Sequence, residues 1–239
     1  MLKISTPAQL LILFSLFSSI PAAQSSSLDA DIFIANNYIF RGLTRTQDQT
    51  TVQGGIHYQH NSGMYAGLRV SNVDFRLGAG RKEKPLYADN ENIYKLGYFS
   101  QTENTRYLIG ITAYEYPSGG GPRFHEFNGE LGFKGFGLSL NYDDEHENLY
   151  TRLSYEAEIN ERLHWQAHIG DYNLKDPSAL QFRRSPLFND YNDILLGLSY
   201  QIDGGLIWRF SYIDTNLSTD DTDEYGRFVI SIEKTFGLI

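Results

Sequence analysis

Leu163-His164-Trp165-Gln166-Ala167-His168-Ile169-Gly170 is the stretch that decides the fold. In an extended chain Leu163, Trp165, Ala167 and Ile169 fall on one side, and His164, Gln166, His168 and Gly170 on the other. Successive side chains of a strand point to opposite faces, so this is a strand with one apolar and one polar face. The same beat runs outward in both directions, from Asp31 to Phe236. Gly54, Ile56 and Tyr58 alternate with Gln53, His57 and Gln59. Near the end, Phe228, Ile230, Ile232 and Phe236 oppose Arg227, Ser231, Glu233 and Thr235. Lys234 alone interrupts that apolar face, close to the strand end, where a lysine snorkels to water.

The pattern predicts twelve strands, at 31–43, 51–60, 63–75, 92–100, 105–116, 123–134, 136–143, 149–158, 162–172, 191–202, 206–215 and 225–236. The first is the least clean, since Phe33 and Ile39 share a face with Asn37 and Arg41. The connections carry as much information as the strands. Asn61–Gly63, Gln101–Asn104, Gly135, Ile159–Glu161 and Asp203–Gly205 are tight turns. Thr44–Thr50, Arg76–Glu91, Pro117–Pro122, Asp144–Asn148, Asn173–Asp190 and Asn216–Glu224 are longer loops rich in Gly, Pro or charge. Short and long alternate throughout. Transmembrane β-barrels keep this parity, because one side needs only turns while the outward loops carry interaction surfaces.

The N-terminus reads as an export signal over residues 1–25. Lys3 is followed by the apolar run Leu10–Phe17, with small residues at Ala22, Ala23 and Ser25–Ser27 for cleavage. That run is too short for a membrane-spanning helix, and no other stretch approaches eighteen apolar residues. The rest, 26–239, is then one barrel domain in the outer membrane of a Gram-negative bacterium. The chain has no cysteine, which excludes disulfides and thiolate metal sites. Its net charge of −9 argues against nucleic acid and suits a protein standing among divalent cations and lipopolysaccharide. The 17 Tyr and 15 Phe, against 2 Trp, fit aromatic girdles at a bilayer surface. Overall hydropathy is that of a soluble protein, as a barrel with polar lumen and loops requires.

Parity also assigns a lumen. Arg41, Arg69, Lys95, Glu126, Glu130, Arg152, Glu156, Arg209 and Arg227, with Glu233, lie opposite the apolar set. An Arg or Lys facing lipid at the midplane costs about 2–4 kcal/mol, so at mid-depth these residues belong inside. There they either select solutes, as charged rings do in pores, or form internal salt bridges such as Arg41 with Glu126 or Asp74. The second is the default.

Other clusters carry less. Asp143–Glu147 and Asp220–Glu224 are carboxylate-rich but lack the spaced ligands and turn glycine of a calcium loop, so they read as solvated loops. His164 and His168 are four apart, which on a strand separates them by ~13 Å and disfavours a metal site. They also raise a lipid-acting hydrolase, although no compact Ser, His and acid arrangement is visible. Pro117–Pro122 has neither the lysine nor the helix of a phosphate loop.

Asn37–Thr44, Val52–Tyr58, Ser62–Gly67 and Ser71–Phe75 stand in an order and spacing that resembles the TorF family of porin-like outer-membrane proteins. Tyr116-Pro117, Glu126, His168–Gly170 and Leu198-Ser199 extend the likeness over nearly the whole chain after the signal. The Tyr-x-Phe-Arg-Gly and Ser-Asn-Val-Asp-Phe pair is its most specific part. The resemblance implies a porin with no cofactor and no catalytic residues. It also implies assembly by the barrel-assembly machinery, whose terminal aromatic signal falls here at Phe236, ahead of Gly237-Leu238-Ile239. The expected function is passive diffusion of small hydrophilic solutes. The alternative is a closed barrel whose extracellular loops bind a partner or ligand.

Overall fold

The computed structural model describes residues 26–77, 86–117, 124–175, 190–217 and 226–239. The predicted signal, 1–25, lies outside them, as do the Asp220–Glu224 cluster and most of the Pro117–Pro122 loop. Twelve strands form the wall: β1 (Ser27–Ala35), β4 (Thr51–Gln59), β5 (Met64–Leu77), β6 (Leu86–Gln101), β7 (Thr105–Glu115), β8 (Phe124–Phe133), β9 (Phe136–Asp143), β10 (Asn148–Glu158), β11 (Leu163–Asn173), β12 (Tyr191–Ile202), β13 (Leu206–Thr215) and β14 (Arg227–Gly237). Two short strands, β2 (Ile39–Phe40) and β3 (Leu43–Thr44), pair only with each other.

Every wall strand is antiparallel to its sequence neighbour, and β1 closes the sheet by pairing with both β14 and β4. Ala35 stands opposite Ser231 on one side and Thr51 on the other. Closure leaves no unpaired edge, so every ladder hydrogen bond is made inside the sheet. Tight turns cluster at one end of the barrel and long connections at the other, here called the turn end and the loop end.

The period-two pattern becomes a two-faced wall. Ile109, Leu131 and Phe228, at 60–62% exposure, stand with the other large apolar side chains on the outer face. Arg209, Ser211, Arg227, Ser231 and Glu233 are buried on the inner face. An outer surface this apolar is stable only against hydrocarbon.

Two differences from the sequence expectation matter. First, the segment expected as one strand over 31–43 leaves the wall after Ala35. Residues 36–50, the first long connection, fold back into the barrel, with β2 and β3 as a small hairpin. Tyr38–Thr46 are buried on every side. A wall strand needs one face for lipid and one for the lumen, and Tyr38-Ile39-Phe40 has no polar face to offer. Second, the ladder between β5 and β6 continues as far as Leu77 opposite Leu86, so much of the expected loop Arg76–Glu91 is strand. The register shifts between Asn72 and Phe75. At this irregularity the Asp74 N–H turns to the hairpin and donates to the Arg45 carbonyl at 2.8 Å.

The buried apolar core is therefore inside the barrel, at the loop end, and centred on the hairpin. Tyr38 and Phe40 pack with Val73, Ile93, Tyr114, Tyr116 and Phe124. Leu43 packs with Tyr150, Tyr172, Tyr191 and Leu217. Ile39 packs with Phe33, Leu195, Ile213 and Val229.

Candidate functional site: the lumen and its inner hairpin

At the hairpin tip Arg41 and Gly42 both adopt positive φ, 50° and 80°. Gly42 is required here by space as well as by conformation. A Cβ would stand 2.8 Å from that of Asp193 and 3.2 Å from that of Thr215. The tight turn drives the Arg41 side chain across the lumen. Its two terminal nitrogens each lie 2.8 Å from a different carboxylate oxygen of Glu126 on β8. The guanidinium carbon sits 4.5 Å from the ring centres of Phe40 and Tyr150 and 4.8 Å from that of Tyr172. Tyr114 donates to the same carboxylate at 3.2 Å, and Tyr191 donates to the Arg41 carbonyl at 2.9 Å.

Arg45 makes a second arrangement of the same kind. It pairs with Glu91 on β6, and both side chains are almost wholly excluded from solvent. Tyr38 and Tyr116 donate to the two Glu91 oxygens at 2.9 and 2.8 Å. The Phe40 ring lies 3.6 Å from the Arg45 guanidinium carbon. Each buried charge is thus matched by an opposite charge, by hydroxyl donors and by aromatic faces, the conditions under which such a pair is tolerated away from water.

Polar bonds tie the hairpin to itself and to the far side of the wall. Thr44 and Thr46 both donate to the Asn37 side-chain oxygen, and Asn37 donates to Asp48. Asp48 in turn accepts from Arg227 on β14 at 2.5 Å. Counting the aromatic and apolar contacts as well, the hairpin touches every wall strand from β5 to β14 except β9, and it fills the lumen at the loop end.

Beneath it the lumen is open. A cavity of about 380 Å³ is roofed by Ile39–Gly42 and reaches down to the turns at Gln101–Arg106 and Phe133–Phe136. Lys95, Arg106, Glu130, Arg152, Glu156, His164 and His168 line it. Arg106 lies 2.9 Å from Glu130 and 3.7 Å from Glu156, and Arg152 lies 3.9 Å from Glu130 while donating to Ser139 at 3.1 Å. These pairs are partly wet, with Arg106 29% and Glu130 25% exposed.

The nine charged residues expected in the lumen from parity fall into distinct groups. Arg41 and Glu126 meet at the hairpin. Lys95, Glu130, Arg152 and Glu156 surround the cavity. Arg69 bonds Asp31 at 2.9 Å and Gln53 at 3.3 Å, and His57 joins the same aspartate. Arg209 pairs with Glu233 at 2.6 Å. Arg227 holds Asp48 from the loop. Asp74, the other partner considered for Arg41, instead takes a bond from Gln47 through its carbonyl oxygen. His168 lies 2.8 Å from Asp193, which also accepts from Tyr150 at 3.1 Å, so this histidine is bound into the wall's own network. The Asp143–Glu147 stretch is not wholly a solvated loop, because Asp143 is buried and holds His146 at 2.8 Å. No group of three or more metal-ligating side chains occurs among the described residues.

Sequence reasoning did not single out Arg45, Glu91 or the inner-face tyrosines 114, 150, 172 and 191, and it met Tyr116 only in the family resemblance. Their signal is present, however. Each of these tyrosines has the parity of the polar face, next to Thr112, Arg152, Gly170 or Asp193. Large aromatics on a water-facing side mark a stretch of lumen filled from within.

The closed twelve-stranded antiparallel barrel resembles, in fold, those of outer-membrane porins. The NanC porin matches with a TM-score of 0.54 at 10% identity, covering 89% of this chain and 100% of that one. The KdgM porin matches at 0.52 and 8% identity, covering 88% and 99%. LpxR from Salmonella typhimurium matches at 0.50 and 10% identity, covering 87% and 99%. At such identities the likeness is one of fold alone. By sequence, the chain belongs to the Gcw_chp family, described as bacterial proteins of unknown function, whose model matches residues 21–236. No curated protein matches it.

Proposed function

We propose that the protein is a porin-like channel for passive diffusion of small hydrophilic solutes, with residues 36–50 as its constriction. It has no catalytic step. The long loops face the exterior of a Gram-negative cell among lipopolysaccharide, the turns face the periplasm, and export would begin with cleavage of a signal within residues 1–25. The resemblance to the TorF family points the same way.

The observation that carries this reading is the contrast within the lumen. The half beneath the hairpin is a charged, water-accessible vestibule, which a barrel serving only as a scaffold has no need to keep open. The hairpin above it blocks the path in the conformation described, so flux depends on how often the hairpin leaves its sockets. Charged vestibule residues such as Arg106, Glu130 and Arg152 then weight anions against cations.

The tight packing of the hairpin favours a second reading, a permanently closed barrel whose outer loops bind a partner. Single-channel conductance of the refolded protein in a planar bilayer separates the two. It is compared with a variant whose residues 38–46 are replaced by a short Gly-Ser link, which is feasible because Ala35 and Thr51 are already paired. Larger or more frequent salt-dependent steps in the variant are expected. Silence from both proteins, each still showing heat-modifiable barrel migration, would replace the channel with the closed barrel.

A further inference from the structure

We infer that the barrel wall carries a binding site for guanidinium-type organic cations, which Arg41 fills as an intramolecular ligand. This deepens the porin reading by naming a solute class, and it rests on that reading only for the route by which such a solute arrives.

The socket is almost entirely the wall's. Glu126 on β8 offers two oxygens to the planar fork, and Tyr114 on β7 braces that carboxylate. Tyr150 on β10 and Tyr172 on β11 present ring faces to the cation, stacked edge to face at 5.6 Å from one another. Only Phe40 comes from the hairpin. A carboxylate matched to a two-nitrogen fork, enclosed by aromatic faces, suits a guanidinium better than a compact ammonium.

The charge balance of the surroundings agrees. At this level the wall contributes Glu91, Glu126, Asp143 and Asp193, with His146 beside Asp143 and His168 beside Asp193. The wall's own Arg227 is engaged by Asp48 of the hairpin connection. Lys95 and Arg152 of the wall stand nearby around the cavity, but Arg41 and Arg45 are the cations seated directly on Glu126 and Glu91, and both are carried by the element that blocks the passage. With the hairpin withdrawn, Glu126 would lose its partner, and the socket around it would favour planar organic cations. Because Arg41 is tethered through the hairpin it competes as an intramolecular ligand, and a free cation displaces it only when present in excess.

The first test compares Arg41→Ala with Arg41→Ala/Glu126→Gln by heat-modifiable migration in detergent. Each is heated in methylguanidinium chloride, tetramethylammonium chloride or sodium chloride at equal ionic strength. Methylguanidinium should raise the melting point of Arg41→Ala by several degrees over sodium and leave the double variant unmoved. Identical curves in all three salts would overturn the site. Equal rescue by tetramethylammonium, which has charge but no N–H fork, would overturn the guanidinium assignment.

A second measurement keeps Arg41 in place. The chain is free of cysteine, so Leu43→Cys places one reporter on the buried flank of the hairpin. Maleimide should label it several-fold faster in methylguanidinium than in sodium, and equal rates would count against displacement. Neither readout uses ion flux. A silent bilayer would therefore refute the channel and spare the site, and absent rescue in a conducting protein would do the reverse.

Discussion

Arg45–Glu91 and Arg106–Glu130 are the same chemical pair in the same barrel, yet they stand in different media. The first, at the loop end, is 1% and 0% exposed; the second, above the turn end, is 29% and 25% exposed. The dry pair needs Tyr38, Tyr116 and Phe40 around it, whereas the wet pair shares its carboxylates loosely with Arg152 and Ser139. One lumen thus contains a protein-like interior and an aqueous vestibule, and the inner hairpin is the border between them. Charge inside a barrel does not by itself indicate a water-filled pore; the burial of each charge decides that.

The largest effect expected from breaking this contrast is at Arg45. Arg45→Ala leaves the Glu91 carboxylate buried without its counter-charge and should cost about 3–5 kcal/mol of stability. Urea unfolding in detergent micelles measures it, and a loss below about 1 kcal/mol would mean that water reaches this level as freely as it reaches the vestibule. Next in size is a pair of neighbours on β9. Leu140 faces outward and Asn141 lines the cavity, so Leu140→Arg should cost about 2–4 kcal/mol while Asn141→Arg is tolerated. Equal yields of heat-resistant barrel from both variants would invalidate the assignment of faces. Arg106→Ala is the smallest, below about 1 kcal/mol, because its ion pairs are already hydrated. Its readout is selectivity: in a bilayer the reversal potential should move toward cations, and an unchanged potential would remove Arg106 from the conducting path.

The wall was legible in the sequence because its rule is local. Lipid outside and lumen inside impose a period of two on every strand, and strands such as 163–173 carry that signature within a few residues. The alternation of short and long connections then orients the whole. The hairpin was not legible in the same way. Asn37–Leu43 continues an approximate alternation, so it reads as more of β1, and what removes it from the wall is a set of partners scattered over nine other strands. Arg41 illustrates the limit. Parity placed it in the lumen, but not at a turn with positive φ, and its carboxylate could be narrowed only to Glu126 or Asp74. Glu91 and Arg45 fell within expected loops, where no periodicity speaks. The tyrosines of the inner face were the available clue, since residues 114, 150, 172 and 191 set bulky rings where a water-filled lumen would call for small or polar side chains.

Several of the sockets that receive the hairpin are built late. Arg41 lies 85 residues before Glu126 and 150 before Tyr191, and Asp48 lies 179 before Arg227. The plug is made near the start of the chain, but its last anchor belongs to β14, the strand that also seals the cylinder against β1. Contacts of such long range form last, after the intervening chain has been brought to order. A half-assembled sheet offers the plug only the sockets of β5 to β8, such as Glu91, and lacks those of β10 to β14. Occlusion becomes a mark of completion: the cylinder can be shut only once it is whole.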